Sequence, residues 1–406
     1  MAEQFPFVRY RDVDPRNVAV RMASARPRVS VVITVHDGGE AVRSCIQSVL
    51  DNSPTAHRII IIDDAGRDPV TRRIVDGFDG DGKVELIRHE ICLGYTQTAN
   101  HGLRLADDDD VVLLNSDTVV PPMWLQRLSW TAYSQSGVGT VSAVSNDAAA
   151  NSVPFRHQRN DWYPRRQWCD SARLMSRGMR VWSQEVPSAH GFCMYIRRAL
   201  IEELGFFDTD GFPIGYGEEV DYSQRAIRAG WSNLVAPHVL VKHLRSQSFG
   251  LDRRKQLVES SEVVLWQRYP RLGADVAMWE SSLGAALIKQ NASRIRSGWS
   301  GAELAVRKIV VRDLDDEYTH VNLTDEDESL VREDEWCFTP SSQTVDSRAS
   351  RDRVVCEMVL LGCAESVVHH FVSAQSEQGL SQLTRELGVT YSSAPHADHT
   401  RESLDR

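Results

Sequence analysis

The chain has 406 residues, 42% of them hydrophobic, which is enough for two or three domains with sizeable cores. Its formal net charge of −10 argues against a general nucleic-acid binder, because phosphate backbones require a basic surface. No apolar run approaches a membrane span, arginines punctuate the first thirty residues where a secretory core would lie, and the seven cysteines lack C-x-x-C spacing. The expectation is a cytoplasmic protein, with peripheral contact to a membrane surface left open.

Residues 1–28 read as an N-terminal arm, since Pro6, Pro15 and Pro27 discourage regular structure. Residues 29–36, VSVVITVH, are a β-branched run of strand length, and the breaker Asp37-Gly38-Gly39 follows. Val42, Ile46 and Val49 then recur at helical spacing. Ile59 to Ile62 form an apolar strand ending in Asp63 and Asp64. A helix over 70–78, a strand over 84–87, a helix over 96–105 and a strand over 111–114 complete this half. Strand and helix alternate with short links, the pattern of an α/β protein with a parallel sheet covered on both faces. Ligands of such sheets sit beyond the carboxyl ends of the strands. Three strands here end in polar groups: Thr34 with His36, Asp63 with Asp64, and Asn115 with Asp117. An acid at a strand end, such as Asp117, is placed to hold a divalent cation against a diphosphate. An N-x-D turn taken alone is more often only a turn.

The second half is less regular. A helix is expected over 123–134 and a strand over 138–144. Residues 155–184 are rich in arginine and tryptophan (Arg156, Arg159, Trp162, Arg165, Arg166, Trp168, Arg173, Trp182). Such a mixture lines clefts for sugar rings or anions, and equally makes an amphipathic surface with snorkelling arginines. A buried strand over 191–196 and a helix over 198–204 lead to the loop carrying Gly215, Tyr216 and Gly217. This loop delivers Glu218, Glu219 and Asp221 to the first turn of a helix. The helix dipole favours acids there, and Asp221 with Arg225 is an ordinary i,i+4 pair. Neither explains an acid pair directly behind glycine and an aromatic loop, where one carboxylate's pKa rises toward that of a working base. Strands over 233–236 and 239–243 flank Pro237, and His243 closes the second. Ser246, Ser248 and Gly250 make a small polar loop. Residues 251–300 are helical in pattern; 301–406 contain an acidic linker, a helix within 354–371 and a tail of disordered composition, with no role assigned.

Taken together, VSVVITVHDGG, IIIIDDAGRD, LGYTQTANHGLRLA, VVLLNSDT, HGFCMYIRRALIEELGFFD, YGEEVDYSQRAIRAGW and HLRSQSFG resemble the ordered signature of family 2 glycosyltransferases with the GT-A fold. The likeness spans residues 29–250 and is nearest the rhamnosyl- and galactofuranosyltransferase-like branch. It implies a Rossmann-like, mostly parallel sheet, with a nucleotide-binding half over 29–118, an acceptor half over 119–250 and a C-terminal helical extension over 251–300. It also implies roles by position. Thr34, His36 and Asp64 match contacts to the nucleobase or ribose, with Asp63 supporting them; Asn100, Asn115 and Ser116 match positions beside the donor sugar and its phosphates. Asp117 and His243 match a metal site for Mg²⁺ or Mn²⁺. Glu219 matches the general base, buttressed by Glu218 and Asp221, while Gly191, Tyr216 and Gly217 lie on the acceptor side. There are departures: Asn115 stands where an acid is frequent, Glu219 for Asp, Cys92 for Asn and His36 for Tyr.

The activity so implied is inverting, metal-dependent transfer of a sugar from a UDP- or dTDP-sugar to a hydroxyl of a carbohydrate, lipid-linked or small-molecule acceptor. A homodimer is left open. Two other classes compete. A sugar nucleotidyltransferase would want a glycine-rich basic loop after the first strand, and HDGGEAVR is a poor version of one. A non-catalytic glycan-binding or scaffold protein on the same fold would be favoured by loss of Asp117 or the acid pair, and both are present.

Overall fold

The structure, a computed structural model, describes residues 15–160, 168–178, 183–244, 251–296, 307–313, 319–325, 342–345, 351, 355, 366–371, 374–387 and 389–395. Several expectations of the sequence fall outside them: the first residues of the arm, Trp162, Arg165, Arg166 and Trp182, the loop with Ser246, Ser248 and Gly250, much of the acidic linker, and the tail beyond Pro395. Residues 27–300 form one compact unit, and residues 14–26 with 301–406 form a second.

In the first unit, β1 (Val29–Val35), α2 (Glu40–Asn52), β2 (Arg58–Asp63), α3 (Pro69–Asp76), β3 (Val84–Arg88), α4 (Tyr95–Leu105) and β4 (Asp110–Asn115) alternate as their patterns require. The second half contains β5 (Thr118–Val119), α5 (Trp124–Ala132), β6 (Val138–Ser145), α6 (Trp168–Gly178), β7 (Gln184–Glu185), β8 (Cys193–Ile196), α7 (Arg198–Leu204), α8 (Glu218–Arg228) and β9 (Ser232–His243). Helices α9 (Leu251–Arg268), α10 (Leu272–Glu280) and α11 (Leu283–Arg296) follow, as expected of 251–300. One sheet runs in the order β3-β2-β1-β4-β8-β6-β9-β5, with β7 also on β9. The β3-β2-β1-β4 half is wholly parallel, the Rossmann-like half expected of a GT-A domain. Beyond β4 the sheet is mixed: β8 runs antiparallel to both β4 and β6, while β6 and β9 are parallel.

Ile59 to Ile62 are all buried, which requires cover on both faces, and each such side chain contributes roughly 1.5–3 kcal/mol. The core between this sheet and α4, α7 and α8 includes Val32, Ile60, Leu103, Leu113, Met194 and Tyr222. Helix α9 packs on the loop before α8 through Phe212, Leu265 and Tyr269.

Pro237 does not split β9. Ala143 pairs with Ala236 and Val144 with Leu240, so the register skips a stretch of β9 and no ladder bond is asked of the proline.

The second unit departs further from expectation. The arm contains helix α1 (Pro15–Ala25), because proline at a first helical position costs no hydrogen bond; Val18 and Met22, one turn apart, are buried. It packs on α12 (Ala374–Leu387). A five-stranded sheet is formed by β10 (Arg307–Asp313), β11 (Thr319–Asp325), β12 (Ser342–Val345), β13 (Ser366–Phe371) and β14 (Thr390–Pro395), ordered β12-β11-β10-β13-β14. Part of the segment expected to be helical is therefore a strand, β13, where the β-branched Val367 is buried beside β10.

Candidate active site

The carboxyl ends of β1 and β2 lie side by side, with Val35 in register with Asp63. Asp63 accepts the Gly66 N–H (2.9 Å), closing the turn after β2. Asp64, 4% exposed, accepts His89 Nδ1 (2.8 Å) and the Leu93 N–H (2.8 Å) on one oxygen, and the Gly94 N–H (2.9 Å) and Cys92 Sγ (3.3 Å) on the other. Burial alone would raise its pKa, but these four donors outweigh it and hold the carboxyl below the ordinary value. The His36 ring donates Nδ1–H to the Asp64 carbonyl (2.9 Å). Sequence reasoning did not single out His89, though it follows β3 as the other polar groups follow their strands.

Asn100 serves elsewhere. Its side chain is 2% exposed and forms a two-pronged bond with the Phe207 backbone, accepting the N–H and donating to the carbonyl, both at 2.9 Å. This ties α4 to the loop after α7.

Asn115, Ser116 and Asp117 turn the chain from β4 into β5. The Asn115 N–H reaches the Phe192 carbonyl (2.9 Å), and its own carbonyl accepts Thr118 Oγ1 (2.8 Å). Strand β5 then pairs with the end of β9, Thr118 opposite His243, which brings Asp117 and His243 together. His243 Nε2 lies 3.1 Å from Asp117 Oδ1. Phe192 stacks on the imidazole at 5.6 Å, Asn146 holds the His243 N–H (2.8 Å), and the Asp147 carbonyl accepts its Nδ1–H (2.7 Å). That last bond fixes the proton on Nδ1 and leaves the Nε2 lone pair aimed at a carboxylate, an arrangement suited to a cation between them. Two ligands about 2.1 Å from one Mg²⁺-sized ion and at right angles are about 3 Å apart, so the spacing fits. Asn146 and Asp147 were not singled out from sequence; their signal is polar residues directly after the strand β6.

The acid pair lies on the acceptor half. Gly217 has φ 118°, and an added Cβ would stand 2.8 Å from the Phe212 ring, so only glycine admits this entry to α8. Tyr216 before it also has positive φ, 65°. Glu219 folds back to accept the Gly217 N–H (3.2 Å). Glu218 is 3% exposed, and its Oε2 has no partner among the described residues. Burial, then the neighbouring Glu219 charge, push the Glu218 pKa well up. Burial raises that of Glu219 too, opposed by backbone N–H groups of the helix start and by a hydrogen bond from Glu218. Both carboxyls are thus pushed upward, and the larger push falls on Glu218, which holds a proton more tightly than Glu219 does. A Cβ on Gly191 would lie 3.9 Å from Glu219 Cβ and 3.5 Å from Tyr95 Oη, so Gly191 and Tyr95 wall the base.

Asp221 does not buttress that pair. Fully buried, it accepts Arg225 Nε (2.9 Å), Arg268 Nη1 (2.9 Å) and Tyr269 Oη (2.7 Å), clasping α8 to α9. In the arginine-rich segment, Arg156 has a structural part: it stacks on Trp279 and donates to the Glu280 and Ala285 carbonyls.

One continuous path thus joins the two functional groups: Asp117 to His243, His243 to Phe192, and Gly191 to Glu219. A parallel half with polar strand ends, an acid–imidazole pair and a buried acid pair are the parts of a glycosyltransferase. Residues 30–205 match the family model described as "Glycosyl transferase family 2", and this stretch is similar to family 2 glycosyltransferases. The chain is similar to glycosyltransferase AglE of Haloferax volcanii, 23% identical over 251 residues, covering 60% of this chain and 76% of that protein. It is also similar to N-acetylglucosaminyl-diphospho-decaprenol L-rhamnosyltransferase of Mycobacterium tuberculosis, 25% identical over 162 residues, covering 37% of this chain and 52% of that one. Among solved structures, mannosyltransferase PcManGT from Pyrobaculum calidifontis, in complex with GDP-Man and Mn²⁺, superposes with a TM-score of 0.45 at 18% identity, covering 71% of this chain and 84% of that one. Among the described residues, no helix is long and apolar enough to cross a membrane.

Proposed function

We propose that the chain transfers a sugar from a UDP- or dTDP-sugar to an acceptor hydroxyl with inversion at the anomeric carbon. The observation that supports this is the path from Asp117 and His243 through Phe192 and Gly191 to Glu219, along which an acid–imidazole pair and a buried carboxylate share one wall. Glu219 Oε takes the acceptor's hydroxyl proton, the freed oxygen attacks the anomeric carbon, and the bond from that carbon to the diphosphate breaks. Neutral Glu218, hydrogen-bonded to Glu219, keeps the charge of the pair at one and the base ionised. His36, Thr34 and Asp64 receive the nucleoside at the ends of β1 and β2. Asp117 and His243 would hold Mg²⁺ or Mn²⁺, which when bound supplies charge neutralisation for the departing diphosphate. The mycobacterial relative is named for transfer to a diphospho-decaprenol-linked sugar, which supports a lipid-linked acceptor over a free carbohydrate or small metabolite.

The test is a thermal-shift panel of UDP, dTDP, GDP and CMP, each with and without Mn²⁺, because binding to the native state raises the melting temperature by mass action. UDP or dTDP is expected to stabilise the protein in a Mn²⁺-dependent way, and Asp117→Ala is expected to abolish the Mn²⁺ dependence. A panel without any shift would overturn the reading.

A further inference from the structure

A second group of ligating side chains converges away from Asp117 and His243. A ring nitrogen of His36, a carboxylate oxygen of Asp64 and Sγ of Cys92 lie within 4.8 Å of one another. They come from three separate segments: the ends of β1 and β2 and the loop between β3 and α4. Each is already oriented. The His36 Nδ1–H is committed to the Asp64 carbonyl, so Nε2 holds the lone pair, and the Asp37 carboxylate adds negative charge 4.0 Å from it. The Asp64 carboxylate is fixed by His89 and two backbone N–H groups; the fourth donor, the Cys92 thiol, is the one that chemistry can remove. When that thiol releases its proton to solvent, a sulfur lone pair and an Asp64 oxygen lone pair become available together. Cys92 is exposed, which supplies the entry path.

We propose that His36, Asp64 and Cys92 form a binding site for a thiophilic divalent cation of the zinc type, separate from the Asp117–His243 pair. Thiolate, imidazole and carboxylate are a zinc donor set, with a solvent molecule completing four ligands. Mg²⁺ and Mn²⁺ prefer oxygen ligands, so the two sites are selective for different metals. Because His36 and Asp64 are also the residues placed at the nucleoside, a cation bound here excludes the nucleotide. That consequence, unlike the site, rests on the function proposed above.

The test is a titration of the reduced full-length protein with Co²⁺ as a spectroscopic stand-in for Zn²⁺. A thiolate-to-cobalt charge-transfer band is expected, bleached by added Zn²⁺, lost in Cys92→Ser, and retained in Cys169→Ser and Asp117→Ala. No band in the wild type, or a band that survives in Cys92→Ser, overturns the site. UDP is expected to suppress the band. If UDP stabilises the protein with Mn²⁺ present but leaves the Co²⁺ band unchanged, the exclusion is wrong and the site stands. If neither UDP nor dTDP stabilises the protein with Mn²⁺ present and no Co²⁺ or Zn²⁺ added, the fault lies with the nucleotide reading, and the band still decides the site.

Discussion

Two adjacent acid pairs, Asp63–Asp64 behind β2 and Glu218–Glu219 at the head of α8, are alike in sequence and opposite in chemistry. Asp64 is buried among four donors, which keep it ionised and still. Glu218 is buried with an oxygen that has no partner among the described residues, so burial and the neighbouring Glu219 charge push its pKa well up. Burial acts on both in the same direction; the count of donors decides the outcome. A saturated acid is a fixed point for a ligand to meet, whereas an acid short of donors remains free to exchange protons.

The largest effect is expected from Glu219→Gln, which removes the proton acceptor while keeping shape. Turnover should fall by about 10²–10⁴-fold with nucleotide binding retained, measured as kcat alongside a nucleotide thermal shift. Near-normal turnover would remove Glu219 from the role of base. Next is Asp64→Asn, which sets an amide N–H against donors. A loss of roughly 2–3 kcal/mol in denaturant unfolding is expected, with weakened nucleotide binding.

The two pairs also part company with pH. Asp64, lowered in the fold, contributes stability above its unfolded pKa that is lost as pH falls through the folded value. Glu218, raised in the fold, contributes stability below its unfolded pKa that is lost as pH rises through the folded value. Asp64→Asn should therefore flatten the acid side of a stability–pH curve and Glu218→Gln the alkaline side; the same side flattening in both would erase the contrast. Glu218→Gln keeps a hydrogen-bond donor to Glu219, so its turnover is expected within about tenfold of wild type. Smallest is Gly191→Ala, whose Cβ meets only ordinary contacts with Tyr95 and Glu219. Its unfolding free energy should change by less than about 0.5 kcal/mol, and a shift in acceptor KM would mark that wall as the acceptor's.

Where a signal was local, it was legible. The strand ends with Thr34, Asp63 and Asn115, the helix entry with Glu218, and the Asp221–Arg225 pair all depend on neighbours a few residues away. What was not legible depends on distant partners. Asn100 looks like a site residue until Phe207 is seen to occupy both ends of its amide. Asp221 looks like part of an acid cluster until Arg268 and Tyr269 arrive from α9. Asp117 and His243 could be suspected one by one, but their meeting is set by the pairing of β5 with β9. The C-terminal sheet was missed for the same reason: its short strands lie between acidic stretches, and only long-range register reveals them.

Helix α1 belongs to the unit that resumes at Gly301, so that unit is assembled from two stretches separated by residues 27–300. During synthesis α1 emerges long before its partner α12. At about 5–20 residues per second, α1 waits roughly 15–55 s before Gly301 is even made. For that interval Val18 and Met22 have no native cover, while the transferase unit can already fold. Order of synthesis and order of folding are thus reversed, and loss of α12 would leave α1 without its partner.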